Sequence, residues 1–326
     1  MRILGILAAV ILLATACGDD SDDSAGGSAT TVASATGALA AIDMSGQDIK
    51  VGSKDFVEQF VLGEILMQAL AATGAKTTDF INTGGTSVVR TAMLNGEIDA
   101  YWEYTGTGWV VHLGREDPSD DPETLYEELA VADRDENGVE WVGRSQFNNT
   151  YGYATSPEFA EENPGADGGP MDLFEMADYM ESHPDATLCL DTEFPFRGDG
   201  QILWEEATGY TVPESQKVIL GDPGIIFAEI ANGSCTFGLV FTTDGRIPAL
   251  DLVLVEDPGV FIIYNASVTL PAALYDEKPE EWDAIVALIL ENLDQDTMSE
   301  LNRQVSVEGE EASDVAAQFL KDSGLT

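Results

Sequence analysis

From Asp48 to the C-terminus, apolar positions repeat with two periods in turn. Ile49–Gly52 is a short extended run. Phe56–Thr73 then places Phe56, Phe60, Leu62, Ile65, Leu66 and Leu70 at helical spacing, which gives one apolar face. Thr77–Asn82 reads as a strand, Gly84-Gly85-Thr86 leads into a helix over Ser87–Leu94, and Ile98–Trp102 is again strand-like. This β-α-β-α-β order predicts an α/β body on a largely parallel sheet. Asp117–Asp121 is an acidic turn, Glu123–Asp133 is helical in pattern, and Trp141–Ser145 and Tyr151–Thr155 are short strands. Pro157–Pro170 is a polar break. A second set follows: helix Met171–Ser182, strand Ala186–Asp191, helices Gly200–Thr208 and Pro223–Asn232, and strand Thr236–Phe241. Leu252–Val255 and Phe261–Asn265 read as extended. Three helical patterns close the chain, Glu280–Leu293, Thr297–Val305 and Ala312–Lys321.

The first residues follow a different pattern. Arg2 and the apolar run Ile3–Leu13 make residues 1–16 an export signal, too short to span a bilayer as a permanent helix. The run ends in Leu13-Ala14-Thr15-Ala16-Cys17, which looks like a bacterial lipobox with Cys17 as the lipidated residue. The alternative is an ordinary signal peptide with a coincidental cysteine. Gly18–Gly46 favours the lipoprotein: it is rich in Gly, Ser, Ala, Thr and Asp and reads as a flexible tether. Residues 17–47 are thus lipid anchor and tether. They place the body outside the cytoplasm, held to the membrane by the lipid alone.

Composition then narrows the function. The 326 residues, 44% of them apolar, suffice for about two domains. Fifty-nine acidic against 14 basic residues give a net charge of −45, which excludes nucleic acid and electrostatic docking on an anionic bilayer. Such a surface fits solubility, or a setting of high salt that screens self-repulsion. With only His112 and His183, a multi-histidine metal site is excluded, and no metal or cofactor is expected. Cys189 and Cys235 lie in strand-like segments. A disulfide and two buried thiols both remain open. Neither Gly-x-Ser-x-Gly nor Ser-x-x-Lys forms a credible nucleophile constellation, so an enzyme is disfavoured.

Four motifs carry a resemblance. They are Val51-Gly52-Ser53-Lys54-Asp55-Phe56-Val57-Glu58-Gln59, Gly84-Gly85-Thr86 with Gly96-Glu97-Ile98-Asp99-Ala100-Tyr101-Trp102-Glu103-Tyr104-Thr105-Gly106-Thr107, Asn148-Asn149-Thr150-Tyr151, and Thr243-Asp244-Gly245-Arg246-Ile247. In this order they resemble the substrate-binding proteins of osmoprotectant ABC importers, which take glycine betaine, proline betaine, choline or carnitine. The resemblance implies an α/β, two-lobed periplasmic-binding-protein fold of type II, with the ligand in a cleft and two hinge crossings. Lobe one would hold residues 48–149 and 265–326, and lobe two residues 150–264. The chain would be a monomer that delivers its ligand to a permease. Another small solute, or a tethered sensor on the same fold, is the alternative.

The resemblance also implies site residues. Tyr104, Tyr151, Phe241 and Tyr264 match the rings of an aromatic cage, Phe241 standing where the family usually has tyrosine. A quaternary ammonium has no N–H to donate, so ring faces and charge must hold it. Lys54, Thr107 and Arg197 match the groups that meet a ligand carboxylate. In so acidic a chain, Lys54 and Arg197 would form a local positive spot and draw the lobes together. Ser87, where relatives taking choline can carry an acid, points to a zwitterionic betaine. A direct role for Gly84-Gly85 is not expected.

Overall fold

The computed structural model describes residues 37–221 and 223–326. The export signal, Cys17 and the tether up to residue 36 lie outside them. Among the described residues no helix is long and apolar enough to cross a membrane.

The folded body begins earlier than composition implies. Ala38–Ala41 forms a 3-10 turn whose backbone pairs with the C-terminus, Ala38 N to Gly324 O and Leu39 N to Leu325 O, both 3.1 Å. Leu39 and Met44 are fully buried. Residues 37–47 therefore belong to the body and not to a tether, because their few apolar side chains fill the base of a core.

Two sheets organise the body. In the first, β1 (Asp48–Gly52) pairs parallel with β2 (Lys76–Phe80). A bridge from Val51 to Ala100 continues it toward β3 (Tyr101–Tyr104). β3 and β4 (Val139–Val142) both pair antiparallel with β10 (Ala266–Pro271), which lies between them. In the second sheet the order is β7 (Lys217–Ile219), β6 (Leu188–Leu190), β8 (Phe237–Phe241), β5 (Tyr151–Thr155) and β9 (Val253–Leu254). The expectation of a largely parallel sheet is corrected here. β10 and β5 are the strands that enter after the chain crosses between sheets, and each runs antiparallel to its neighbours.

β10 was hidden by its own composition. Ser267 and Thr269 are fully buried in this central strand, with their hydroxyls on Val142 O and Tyr101 O. The extended run Phe261–Asn265 is instead the crossing that precedes it. The edge strand β7 is half exposed and too short to give a period. Within the expected polar break, Pro157–Glu162 is a helix, started by Pro157 and capped by Ser156 Oγ on Phe159 N at 3.2 Å.

Each sheet has its own main core, and the first sheet carries a further cluster around Trp109 and Trp141. Trp102 and Trp282 centre the first, where helices Val57–Ala72, Pro279–Leu290 and Ala312–Asp322 cover the sheet. Tyr153, Trp204 and Phe237 centre the second. Cys189, in the middle of β6, and Cys235, two residues before β8, form a disulfide with Cα atoms 5.8 Å apart.

The chain passes between the sheets twice, at 143–150 and 255–265, and the two crossings are bonded to each other. Asn149 N donates to Tyr264 O at 3.0 Å, Thr150 Oγ1 to Ile262 O at 2.7 Å, and Asn265 Nδ2 to Phe147 O at 2.8 Å. The result is two lobes joined by a paired ribbon, with a cleft between them.

Candidate functional site

The cleft holds a cavity of about 520 Å³. Lys54, Tyr104, Thr107, Tyr151, Arg197, Phe241 and Tyr264 all line it. They come from distant stretches, and local structure explains each placement. Tyr104 ends β3. Tyr151 starts β5 and stands opposite Phe241, the last residue of β8, in the antiparallel register. Tyr264 ends the second crossing. Its ring reaches the wall only because residue 106 is glycine: a Cβ there would lie 2.8 Å from the Tyr264 ring. Arg197 follows the 3-10 turn Phe194–Phe196.

The rings form a continuous series. Tyr104 and Phe56 have centroids 6.3 Å apart, Phe56 and Phe241 5.7 Å, Phe241 and Tyr151 5.7 Å, and Tyr151 and Tyr264 5.3 Å. Phe56 closes the series and sequence reasoning missed its role, reading it as part of a helix face. It precedes the first turn of helix Val57–Ala72 with extended backbone, so its ring turns to the cavity wall. The signal was its place in the Lys54-Asp55-Phe56 motif. Burial pushes the phenols of Tyr104, Tyr151 and Tyr264 well up, so all three stay neutral.

The expected positive spot is corrected. Every basic group on the wall already has a carboxylate. Lys54 Nζ lies 2.5 Å from Glu103 Oε1. Arg197 donates from Nε and Nη2 to Asp199 at 2.8 and 2.6 Å. Arg246, which was not anticipated as a wall residue, pairs with Asp244 at 2.5 Å. Asp55, Asp191 and Glu193 also line the cavity. Acids this abundant in the chain reach the basic groups wherever the fold lets them.

Those partners are residues that sequence reasoning overlooked. Glu103 is fully buried and also meets His112 Nε2 at 2.8 Å and Tyr101 OH at 3.1 Å. Burial opposes its charge, but Lys54 and His112 outweigh that and hold the carboxyl well below the usual range. Burial pulls Lys54 down, with Glu103 opposing. Asp199 accepts the Tyr264 hydroxyl at 2.6 Å as well as Arg197, so one acid locks a ring and a cation. An isolated acid inside an apolar run, as Glu103 is in Tyr101–Tyr104, was the available signal.

Two further expectations shift. Ser87 is exposed and does not line the cavity, whereas Thr86 does. The argument from Ser87 for a betaine therefore falls away. Gly85 does have a role in the wall: a Cβ there would sit 3.0 Å from Glu193 Oε1, which approaches from the opposite lobe. Glycine permits that close approach.

Comparison with known proteins places this geometry. The family described as the substrate binding domain of the ABC-type glycine betaine transport system, OpuAC, matches residues 47–322. The glycine betaine-binding protein YehZ of Escherichia coli is 30% identical, over 88% of this chain and 95% of its own length. The glycine-betaine-binding protein of Pseudomonas aeruginosa is 31% identical, over 90% of this chain and 93% of its own. The solved structure of apo YehZ superposes with a TM-score of 0.64 at 29% identity, covering 86% of this chain and 99% of that one. The two-lobed architecture is that of type II periplasmic binding proteins. Substrate-binding components of this kind work outside the cytoplasm and carry out no chemistry on what they bind. Family match, identity and fold agree: the chain belongs to the OpuAC family, the substrate-binding domains of ABC-type importers, and is not an enzyme.

Proposed function

We propose that this chain captures a quaternary ammonium osmoprotectant, glycine betaine first, and passes it to an ABC permease. The observation that carries the reading is the series of five rings, Tyr104, Phe56, Phe241, Tyr151 and Tyr264, along one cavity wall. A trimethylammonium group sheds water at little cost and is attracted to ring faces, each desolvated contact contributing about 2 kcal/mol. The substitution of Phe241 for a tyrosine keeps the face. The ligand carboxylate would meet Arg197, whose Nη1 is not used by the bidentate contact to Asp199 and faces the exposed Glu193 at 3.9 Å, together with Lys54 and the Thr107 hydroxyl. The names of the relatives from Escherichia coli and Pseudomonas aeruginosa support glycine betaine.

In this reading lobe one is residues 48–149 and 265–326, joined by 37–47, and lobe two is residues 150–264. Ligand contacts from both lobes would favour the closed form, and the paired crossings would act as hinge. Cys17 would carry the lipid, and the protein would work as a monomer. A second reading is favoured by one observation. Each wall cation is already neutralised, and Asp55, Asp191 and Glu193 add negative charge, which suits a plain cation such as choline.

Calorimetric titration of the purified protein with glycine betaine, choline, carnitine and proline betaine, in low and high salt, separates these. Saturable binding of glycine betaine with choline much weaker supports the first reading, and the reverse order supports the second. No heat with any of the four sinks the ligand class and leaves the fold standing.

A further inference from the structure

Glu58 is buried, 3% exposed, and does not line the cavity. It lies one residue into helix Val57–Ala72, where the helix end favours negative charge. A carboxylate has about four acceptor sites, and here four neutral donors use them. Oε1 accepts Tyr104 OH and Asn149 Nδ2, both at 2.8 Å. Oε2 accepts Thr243 Oγ1 at 2.5 Å and Asn302 Nδ2 at 2.9 Å. The same Asn302 group also donates to Thr243 O at 3.0 Å.

What these donors have in common is their position relative to the rings. Tyr104 is itself a ring of the wall. Asn149 lies two residues before Tyr151, and Thr243 two residues after Phe241. Glu58 lies two residues after Phe56. One carboxylate thus holds four of the five ring-bearing segments, drawn from both lobes and the first crossing. The surroundings favour this role over a merely filled space. Asn149 Oδ1 and Asn302 Oδ1 are buried without a hydrogen-bond partner, so both amides keep their N–H groups on Glu58 at the expense of their oxygens. Beside Thr243, Gly245 packs against Arg303 of helix Gln295–Arg303 so closely that a Cβ would meet the Arg303 Cα at 2.5 Å. The Thr243 loop of lobe two therefore rests on lobe one next to the Glu58 contact.

We infer that Glu58 is a positioning residue that sets the spacing of the ring series across both lobes, through Tyr104, Asn149 and Thr243, without touching ligand. Its effect on ligand rests on the reading of the rings as a cage; its effect on the hinge does not. Glutamine serves less well: its amide nitrogen would face one hydroxyl, which must turn to accept, and one asparagine amide, which must flip, so four donors no longer converge on one acceptor group.

The test uses Glu58→Gln, Thr243→Val and Tyr104→Phe in the full chain, with two readouts. The first is amide hydrogen exchange without ligand. Glu58→Gln and Thr243→Val should speed exchange about tenfold or more at 148–151 and 242–246, while Leu188–Leu190 in the lobe-two core keeps its rate. Unchanged exchange at both segments, or equal acceleration everywhere, overturns the inference. Thr243→Val removes a single hydroxyl and carries this readout if Glu58→Gln does not fold. The second readout is glycine betaine affinity. Glu58→Gln should weaken it about tenfold in the parent, and less in the Tyr104→Phe background, where one of its three links to the ring series is already cut. Strictly additive losses overturn the positioning role. If the parent binds none of the ammonium ligands, the proposed function fails, and the exchange result still decides the role of Glu58.

Discussion

Glu58 and Glu103 are two buried carboxylates behind one cavity wall, and their surroundings treat them in opposite ways. Glu103 faces Lys54 and His112, and these charged or chargeable partners hold its carboxyl well below the ordinary range despite burial. Glu58 faces two amides, a phenol and a threonine hydroxyl, and burial pushes it up because neutral donors offset the desolvation only in part. The Glu103 corner is a charge-balanced strut on the lobe-one side. The Glu58 corner is a hub of neutral hydrogen bonds reaching both lobes. Both corners hold a wall residue, Lys54 in one and Tyr104 in the other.

The sharpest way to break the contrast is Lys54→Met. It leaves Glu103 buried with only His112 as an ionic partner, and breaking a buried pair from one side costs up to about 3–5 kcal/mol. Urea unfolding should show a loss of that order, larger than for any single donor removed from Glu58. Next in size is the ring series. Tyr151→Ala should weaken glycine betaine by about 30-fold or more, from one lost cation–π contact of about 2 kcal/mol together with lost packing, as read by calorimetry. Tyr104→Ala should do the same and also release Glu58.

Arg197→Ala sharpens the comparison on the charged side. It should weaken glycine betaine by about tenfold while changing choline much less, because only the former carries a carboxylate. Equal weakening of both would move Arg197 from ligand contact to support of Tyr264 through Asp199.

The smallest effects are the pH slopes, and their signs differ. The folded pKa of Glu103 lies below the unfolded value of about 4.3, so its contribution is present above that pH and lost as pH falls toward the folded value. Glu58 is raised, so its contribution is complete below about pH 4.3 and is lost as pH rises through its folded value. Urea stability measured against pH should therefore lose part of its acid sensitivity in Glu103→Gln and gain acid sensitivity in Glu58→Gln. Slopes that change in the same direction in both variants would erase the contrast.

How much of this was legible before folding differs by element. Helix Val57–Ala72 was plain because Phe60, Leu62, Ile65, Leu66 and Leu70 fall at helical spacing within it. β10 was not, because its inward positions include Ser267 and Thr269, which are paid for by hydrogen bonds visible only once β3 and β4 flank it. Of the seven wall residues, Lys54, Tyr104, Thr107 and Tyr151 were legible inside the motifs, and Phe241, Tyr264 and Arg197 only through the wider family resemblance. Phe56 stood inside such a motif and still read as helix face. Whether it turns inward depends on the extended backbone just before the helix, and helical spacing does not report that.

Local order along the chain settled the alternation of strands and helices, the ring and cation types placed at each turn, and the family to which they belong. These depend on neighbours a few residues apart, where periodicity and turn chemistry act. Only the tertiary structure decided that Lys54, Arg197 and Arg246 arrive already neutralised, that Ser87 faces away, that residues 37–47 join the body, and that Glu58 gathers four ring-bearing segments. Each of those turns on which groups meet in space across tens to hundreds of residues. In a chain with 59 acids, composition alone cannot say which acid meets which cation.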